Sequence, residues 1–105
     1  MRSLETKKLL TLIASNQLEE MILKQMAQHD IGGYTVVRAH GAGASGIQSG
    51  MLDFDANVLI YIIMSEPRLE RVLVDIDKMM DKGYRIKALV TDIDILPRKP
   101  SGDQD

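Results

Sequence analysis

The residues of this chain whose types and spacing could do chemistry are glycines and cations rather than nucleophiles. Gly41 to Asp55 reads GAGASGIQSGMLDFD, and four of the chain's eight glycines fall in its first ten positions. Glycine lets backbone N–H groups approach a phosphate or carboxylate unobstructed, so the segment is a candidate anion-binding loop, with a plain hairpin tip as the alternative. Gly41-x-Gly43-x-x-Gly46 matches the spacing of a dinucleotide fingerprint. That fingerprint works by opening a helix whose N-terminus receives the pyrophosphate, whereas a strand follows here. No Gly-Lys-Ser/Thr follows either, so a P-loop is excluded. Further on, Gly83-Tyr84-Arg85 with Lys87 places a glycine and two cations at a turn into a strand, and Arg98-Lys99 adds two more beyond it. These are candidate phosphate contacts; the alternative is a helix C-cap followed by a solvated strand edge and tail. Asp53 with Asp55 and Asp92 with Asp94 are carboxylate pairs without a His or third carboxylate at ligand spacing, which reads as exposed acid rather than a metal site. His29 and His40 read as surface residues. No Ser/His/Asp or His-Glu-x-x-His arrangement is present, so no catalytic constellation is identified.

The elements that must position these residues follow from hydrophobic period. Lys8 to Ala14 (KLLTLIA) is nearly continuous in apolar residues, as expected of a central strand buried on both faces. Asn16 with Glu19 forms a capping-box pattern, and Leu18, Met21, Ile22 and Met26 then make one helical stripe that Ile31-Gly32-Gly33 ends. Tyr34 to His40 and Ala56 to Met64 read as strands. Pro67 suits the first turn of a second helix, whose stripe is Leu69, Val72, Leu73, Ile76, Met79 and Met80, stopped by Gly83. Arg85 to Ile93 reads as a fourth strand and residues 97–105 as a polar tail. The order βαββαβ is the α+β, ferredoxin-like arrangement: an antiparallel four-stranded sheet with two helices on one face. In the third strand Val58, Ile60, Ile62 and Met64 point one way and Leu59, Tyr61 and Ile63 the other, so the face without helices is also apolar. Such a face predicts a homo-oligomer packed through its sheets.

Composition bounds the rest. A chain of 105 residues, 45% hydrophobic and 27% charged, fits one soluble domain spanning residues 1–105. Thirteen Lys and Arg against 15 Asp and Glu leave a net charge of -2, which argues against broad binding to nucleic-acid phosphates. The absence of Cys removes disulfides, thiol nucleophiles and thiolate metal sites, and fits a cytoplasmic setting. The early apolar run is too short to cross a membrane. The seven Met residues mostly fall at core positions.

The first strand KLLTLIAS, the segment Gly32-Gly33-Tyr34-Thr35-Val36-Val37, the glycine-rich opening Gly41-Ala42-Gly43 and the strand start Ala56-Asn57-Val58 together resemble the PII signal-transduction superfamily. Within it the chain is similar to the shorter PII-like proteins associated with carboxysomes and bicarbonate transport. The likeness spans about residues 7 to 98. It implies a homotrimer with adenine nucleotides bound in clefts between subunits, and binding rather than enzymatic turnover. By that likeness Gly33 and Thr35 face the nucleotide, and Gly41, Ala42 and Gly43 run along it. Gly83 and Arg85, with Lys87 nearby, meet the phosphates, and Arg98 reaches across from a neighbouring chain. The long loop, about residues 41–55, corresponds to the T-loop, whose ordering by ligand signals to a protein target such as a bicarbonate transporter or carboxysome component.

Departures from the family pattern carry their own expectations. The T-loop segment IQSGMLDFD holds no Tyr, so uridylylation is not expected. The turn before the last strand is cut to Asp81-Lys82-Gly83-Tyr84-Arg85, which removes backbone donors for a third phosphate and favours ADP or AMP over ATP. No lysine for sensing 2-oxoglutarate is recognisable. The resemblance suggests bicarbonate as a second ligand, with Ser45, Gly46 and Gln48 as neutral donors. Two alternatives share the architecture. An acylphosphatase-like hydrolase needs an Arg-bearing anion loop after the first strand, where this chain has Ala14-Ser15-Asn16-Gln17. A metal-responsive trimer resembling the divalent-cation tolerance family would bind metal through His40 or the Asp pairs and would have no nucleotide affinity.

Overall fold

The structure, a computed structural model, describes residues 1–40 and 57–99. Strand β1 (Glu5–Ser15) is followed by a 3-10 turn (Asn16–Leu18) and helix α1 (Glu19–Ala27), then strands β2 (Thr35–Ala39) and β3 (Asn57–Met64). Helix α2 (Glu66–Asp81) and strand β4 (Ile86–Ile95) complete the fold. The apolar run of the first strand lies at the centre of the sheet. It pairs with β3 from Lys8↔Met64 to Ser15↔Asn57 and with β4 from Glu5↔Ile95 to Ala14↔Ile86. β2 flanks β3, giving the order β2-β3-β1-β4 with every pair antiparallel. This is the ferredoxin-like βαββαβ architecture expected from the sequence.

Strand alternation sorts the sheet into two unlike faces. Leu10, Leu12 and Ala14 of β1 join Val58, Ile60, Ile62 and Met64 of β3 and Ile86 of β4 on the face covered by Ile22 and Met26 of α1 and by Leu69, Val72, Ile76 and Met79 of α2. Each of the fully buried Leu and Ile side chains here contributes about 1.5–3 kcal/mol on removal from water, and together they hold both helices to one side. The opposite face carries Val37, Leu59, Tyr61, Ile63, Leu9, Ile13 and Leu89, and no helix or strand among the described residues covers it. Val37, Ile63 and Leu89 keep 42%, 47% and 45% of their surface exposed, a contiguous apolar patch of the kind that marks an interface.

Three local expectations are corrected. β1 begins at Glu5, because β4 extends alongside it to Ile95, beyond the end of β3. The capping box of Asn16 and Glu19 does not form. Ser15 ends β1 in extended geometry and its hydroxyl accepts from the Gln17 N–H at 3.2 Å, so the cap falls one residue earlier. Met80, assigned to the buried stripe of α2, lies at its flank in the last turn and is 38% exposed.

Candidate functional site

The turn from α2 into β4 is set by a helix end. Ser65 opens α2, its hydroxyl accepting from the Arg68 N–H at 3.4 Å, with Pro67 in the first turn. At the other end Gly83 takes φ +99°, a conformation that L side chains rarely adopt. There the Gly83 N–H donates to Met80 O at 2.9 Å and the Tyr84 N–H to Met79 O at 3.2 Å. Both backbone donors are therefore spent on the helix cap, and what Gly83 offers a phosphate is a sharp, side-chain-free corner that presents Arg85. Arg85 is exposed just before β4. Lys87 stands opposite Ile13 on the uncovered face.

The turn from α1 into β2 carries Gly33 and Thr35. A Cβ added at Gly32 or Gly33 would meet nothing within 4 Å, and neither glycine has a positive φ. Neither its conformation nor the packing of the described residues explains why position 33 lacks a side chain. Thr35, also exposed, opens β2 opposite Tyr61. Alternation carries that row across the sheet through Thr11 to Leu89, so Thr35 and Lys87 share the uncovered face. They lie toward opposite edges, three strand spacings apart across the sheet and two residues apart along it, or roughly 16 Å.

This turn is tied to α2. His29 Nε2 lies 2.5 Å from Asp75 Oδ2, with 16% and 24% of the side chains exposed, and Arg68 Nη1 donates to the Asp30 carbonyl at 2.9 Å. The sequence reading of His29 as a lone surface residue is thereby corrected. The two residues are 46 positions apart, and only the docking of α1 beside α2 brings them together.

Arg98 lies at the far end of the sheet. β4 runs ten residues between Arg85 and the segment that holds Arg98, a rise of about 30 Å. The Arg2 guanidinium donates to the Arg98 carbonyl through Nε at 3.2 Å and Nη2 at 3.0 Å, pinning the backbone there. A shallow depression beside it is lined by Ile95, Pro97, Arg98 and Lys99. The carboxylates expected as an exposed pair are both engaged: Asp92 pairs with Lys8, and Asp94 accepts from the Thr6 hydroxyl at 3.0 Å. The hydrogen bond to Asp92 raises the Lys8 ammonium above its ordinary value; partial burial works against this, and the charges of Asp92 and Glu66 add to it.

Within one chain, then, the predicted residues do not converge. Gly83 and Arg85 mark one end of the sheet, Thr35 and Lys87 lie on its uncovered face, and Arg98 marks the other end. Gly41, Ala42, Gly43, Ser45, Gly46 and Gln48 lie outside the described residues, as do Asp53 and Asp55. Among the described residues no group of three or more His, Asp or Glu is placed to hold a metal.

A four-stranded sheet with one helical face, one apolar face that no described residue covers, and the predicted ligand residues spread over both ends leaves no assembled site among the described residues of one chain. The chain matches the family described as nitrogen regulatory protein P-II over residues 7–96, and it belongs to that family. Among solved structures it is similar to a PII-like signaling protein from Thermus thermophilus, at 28% identity and a TM-score of 0.75 over 91% of this chain and 94% of that one. It is also similar in fold to CPII from Thiomonas intermedia K12 bound to ADP and bicarbonate, at 22% identity and a TM-score of 0.79 over 92% and 95% of the two chains. A further structure of CPII, a nitrogen regulatory PII-like protein bound to ADP, AMP and bicarbonate, aligns at 19% identity and a TM-score of 0.76 over 92% and 99%. No match was found among curated protein sequences.

Proposed function

We propose that this chain is a non-enzymatic regulatory protein that assembles as a homotrimer and binds ADP or AMP in the clefts between subunits, with bicarbonate as a second ligand. The observation that carries this reading is the division of the site. Arg85 and Arg98 stand about 30 Å or more apart along one chain, and the sheet face linking them is apolar and uncovered among the described residues. Sheet-to-sheet packing of copies would cover that face and allow Arg98 of one subunit to meet Gly83 and Arg85 of the next. Gly33, open on its outer side, would then border the nucleotide with Thr35, Gly41, Ala42 and Gly43, and Lys87 would add charge near the phosphates. ADP or AMP is favoured over ATP because the cap of α2 consumes the Gly83 and Tyr84 N–H groups, leaving fewer donors for a third phosphate.

The bicarbonate reading draws support from the CPII structures, which hold ADP and bicarbonate together. In this chain Ser45, Gly46 and Gln48 would hold the anion, and residues 41–55 would pass the bound state to a protein target in inorganic-carbon metabolism. No helix among the described residues is long and apolar enough to cross a membrane, and a cytoplasmic regulator is the setting we assign. The metal-responsive alternative has less behind it, since Asp92 and Asp94 are engaged by Lys8 and Thr6.

Titration calorimetry with AMP, ADP and ATP, each with and without bicarbonate, tests the proposal. Micromolar ADP binding, tightened by bicarbonate and accompanied by trimeric sedimentation, is the expected result. Affinity no tighter than about millimolar for every nucleotide, near 4 kcal/mol of binding free energy, would end it.

A further inference from the structure

The segment from Ile31 to Tyr34 joins α1 to β2 and makes no main-chain hydrogen bond among the described residues. Two of its four residues are glycines, which lose the most backbone freedom on ordering. Its position is therefore set by its ends and by Ile31, which packs against the core. On the β2 side the anchor is the pairing of Thr35 with Tyr61. On the α1 side the backbone is held from α2, by Arg68 Nη1 on the Asp30 carbonyl and by Asp75 on His29.

Two features point to the Arg68 contact as a tertiary support for the conformation at Asp30, whose own N–H also donates to Ala27 O at 3.4 Å. Asp30 has φ 56°, the one positive φ at a non-glycine among the described residues. The left-handed region is disfavoured for any L-residue, though Asp tolerates it better than most. Arg68, for its part, leaves its Nε buried without a partner among the described residues. A long surface arginine would ordinarily turn that donor to water, since an unmet buried donor is costly. The side chain is instead kept where its Nη1 meets the Asp30 carbonyl.

We propose that Arg68 is a positioning residue for the nucleotide site. From the first turn of α2 it fixes Asp30 in the left-handed conformation, and this sets where Gly33 and Thr35 stand. The inference rests on the functional reading above for its consequence in binding, but the latch itself can be tested without ligand. Arg68 touches no nucleotide in this scheme. It transfers the ordering of the 31–34 segment from the binding step to the folding step, and ordering one residue's backbone on binding weakens affinity about tenfold.

The test uses the full chain and four proteins: wild type, Arg68→Gln, Asp30→Gly, and the two substitutions together. The bond from Arg68 goes to a main-chain carbonyl, so Asp30→Gly preserves its acceptor while making a positive φ free of strain. Arg68→Gln is expected to lower the NMR backbone order parameters of Gly32 to Tyr34 from a rigid value of about 0.85 to below about 0.6, leave the core amides of β1 and β3 protected from exchange, and raise the ADP dissociation constant about tenfold with sedimentation unchanged. Asp30→Gly alone should leave affinity within about twofold of wild type, and added to Arg68→Gln it should recover most of the loss. A charge effect of Arg68 on the ligand would not be rescued at residue 30. Unchanged order parameters of Gly32 to Tyr34 in Arg68→Gln, or no recovery in the double variant, overturns the inference. If wild type binds no nucleotide, the functional proposal falls, and the order parameters alone decide the latch.

Discussion

Replacing Gly33 and Gly83 by alanine, one at a time, separates a glycine kept for the fold from a glycine kept for a ligand. At neither position would the new methyl meet an atom of the described residues within 4 Å, so steric clash with them does not enter. Gly83 sits at φ +99°, and forcing a side chain into that region costs about 1–2 kcal/mol. A loss of this size lowers the melting temperature of a chain this small on the order of 5–15 °C. Gly33 has no positive φ, so alanine there narrows the unfolded ensemble without straining the folded one and should stabilise by about 0.4–1 kcal/mol. The order of effects on binding is reversed in kind. A methyl at position 33 projects into the space assigned to the nucleotide, and an overpacking cost of about 1–3 kcal/mol corresponds to a roughly 5- to 150-fold weaker ADP complex. Both variants are to be melted at one protein concentration, since assembly makes the midpoint concentration-dependent, and titrated with ADP by calorimetry. A Gly33→Ala protein that melts at or above wild type and binds ADP within twofold would refute the placement of Gly33 against the nucleotide. A Gly83→Ala protein as stable as wild type would refute the capping argument.

Two further outcomes follow from the sheet. Ile63→Glu places a charge on the bare face near the end of β3, where the residue is 47% exposed in the single chain; the subunit should stay folded by circular dichroism but sediment as a monomer and lose ADP binding with it, and retention of the trimer would exclude this face as the interface. The Lys8–Asp92 pair gives a signed pH dependence. Because Asp92 raises the Lys8 ammonium above its ordinary 10.5, folded chain holds that proton longer than unfolded chain, so the contribution is complete below that value and is lost as pH rises through the raised folded one. Denaturation midpoints of wild type and Asp92→Asn should therefore converge above about pH 10.5. A gap between them that is unchanged from pH 8 to the alkaline limit would contradict the pairing.

How far the site is legible in the sequence depends on how local each cause is. The turn at Gly83 and the cap at Ser65 depend on neighbours within five residues, and the glycine after the α2 stripe marks the helix end directly. The Asn16 capping box fails for a tertiary reason: β1 is held extended through Ser15 by pairing with Asn57, which moves the cap one residue toward the N-terminus. His29 and Arg68 carry no local signal, because their partners Asp75 and Asp30 lie 46 and 38 residues away. Arg2 on Arg98, 96 residues apart, is the extreme of the same kind.

By itself the sequence determined which residues alternate, which fall on a helical stripe and where glycine interrupts them. These periods follow from strand and helix geometry, so the βαββαβ order and the two-faced third strand needed no structure. The separation of Arg85 and Arg98 follows from the length of the one strand between them, so the sequence already implied it. Only the tertiary structure decided how residues of different strands stand to one another, because strand register, not sequence spacing, carries Thr35 across the sheet from Lys87, on a face the chain's own helices leave bare.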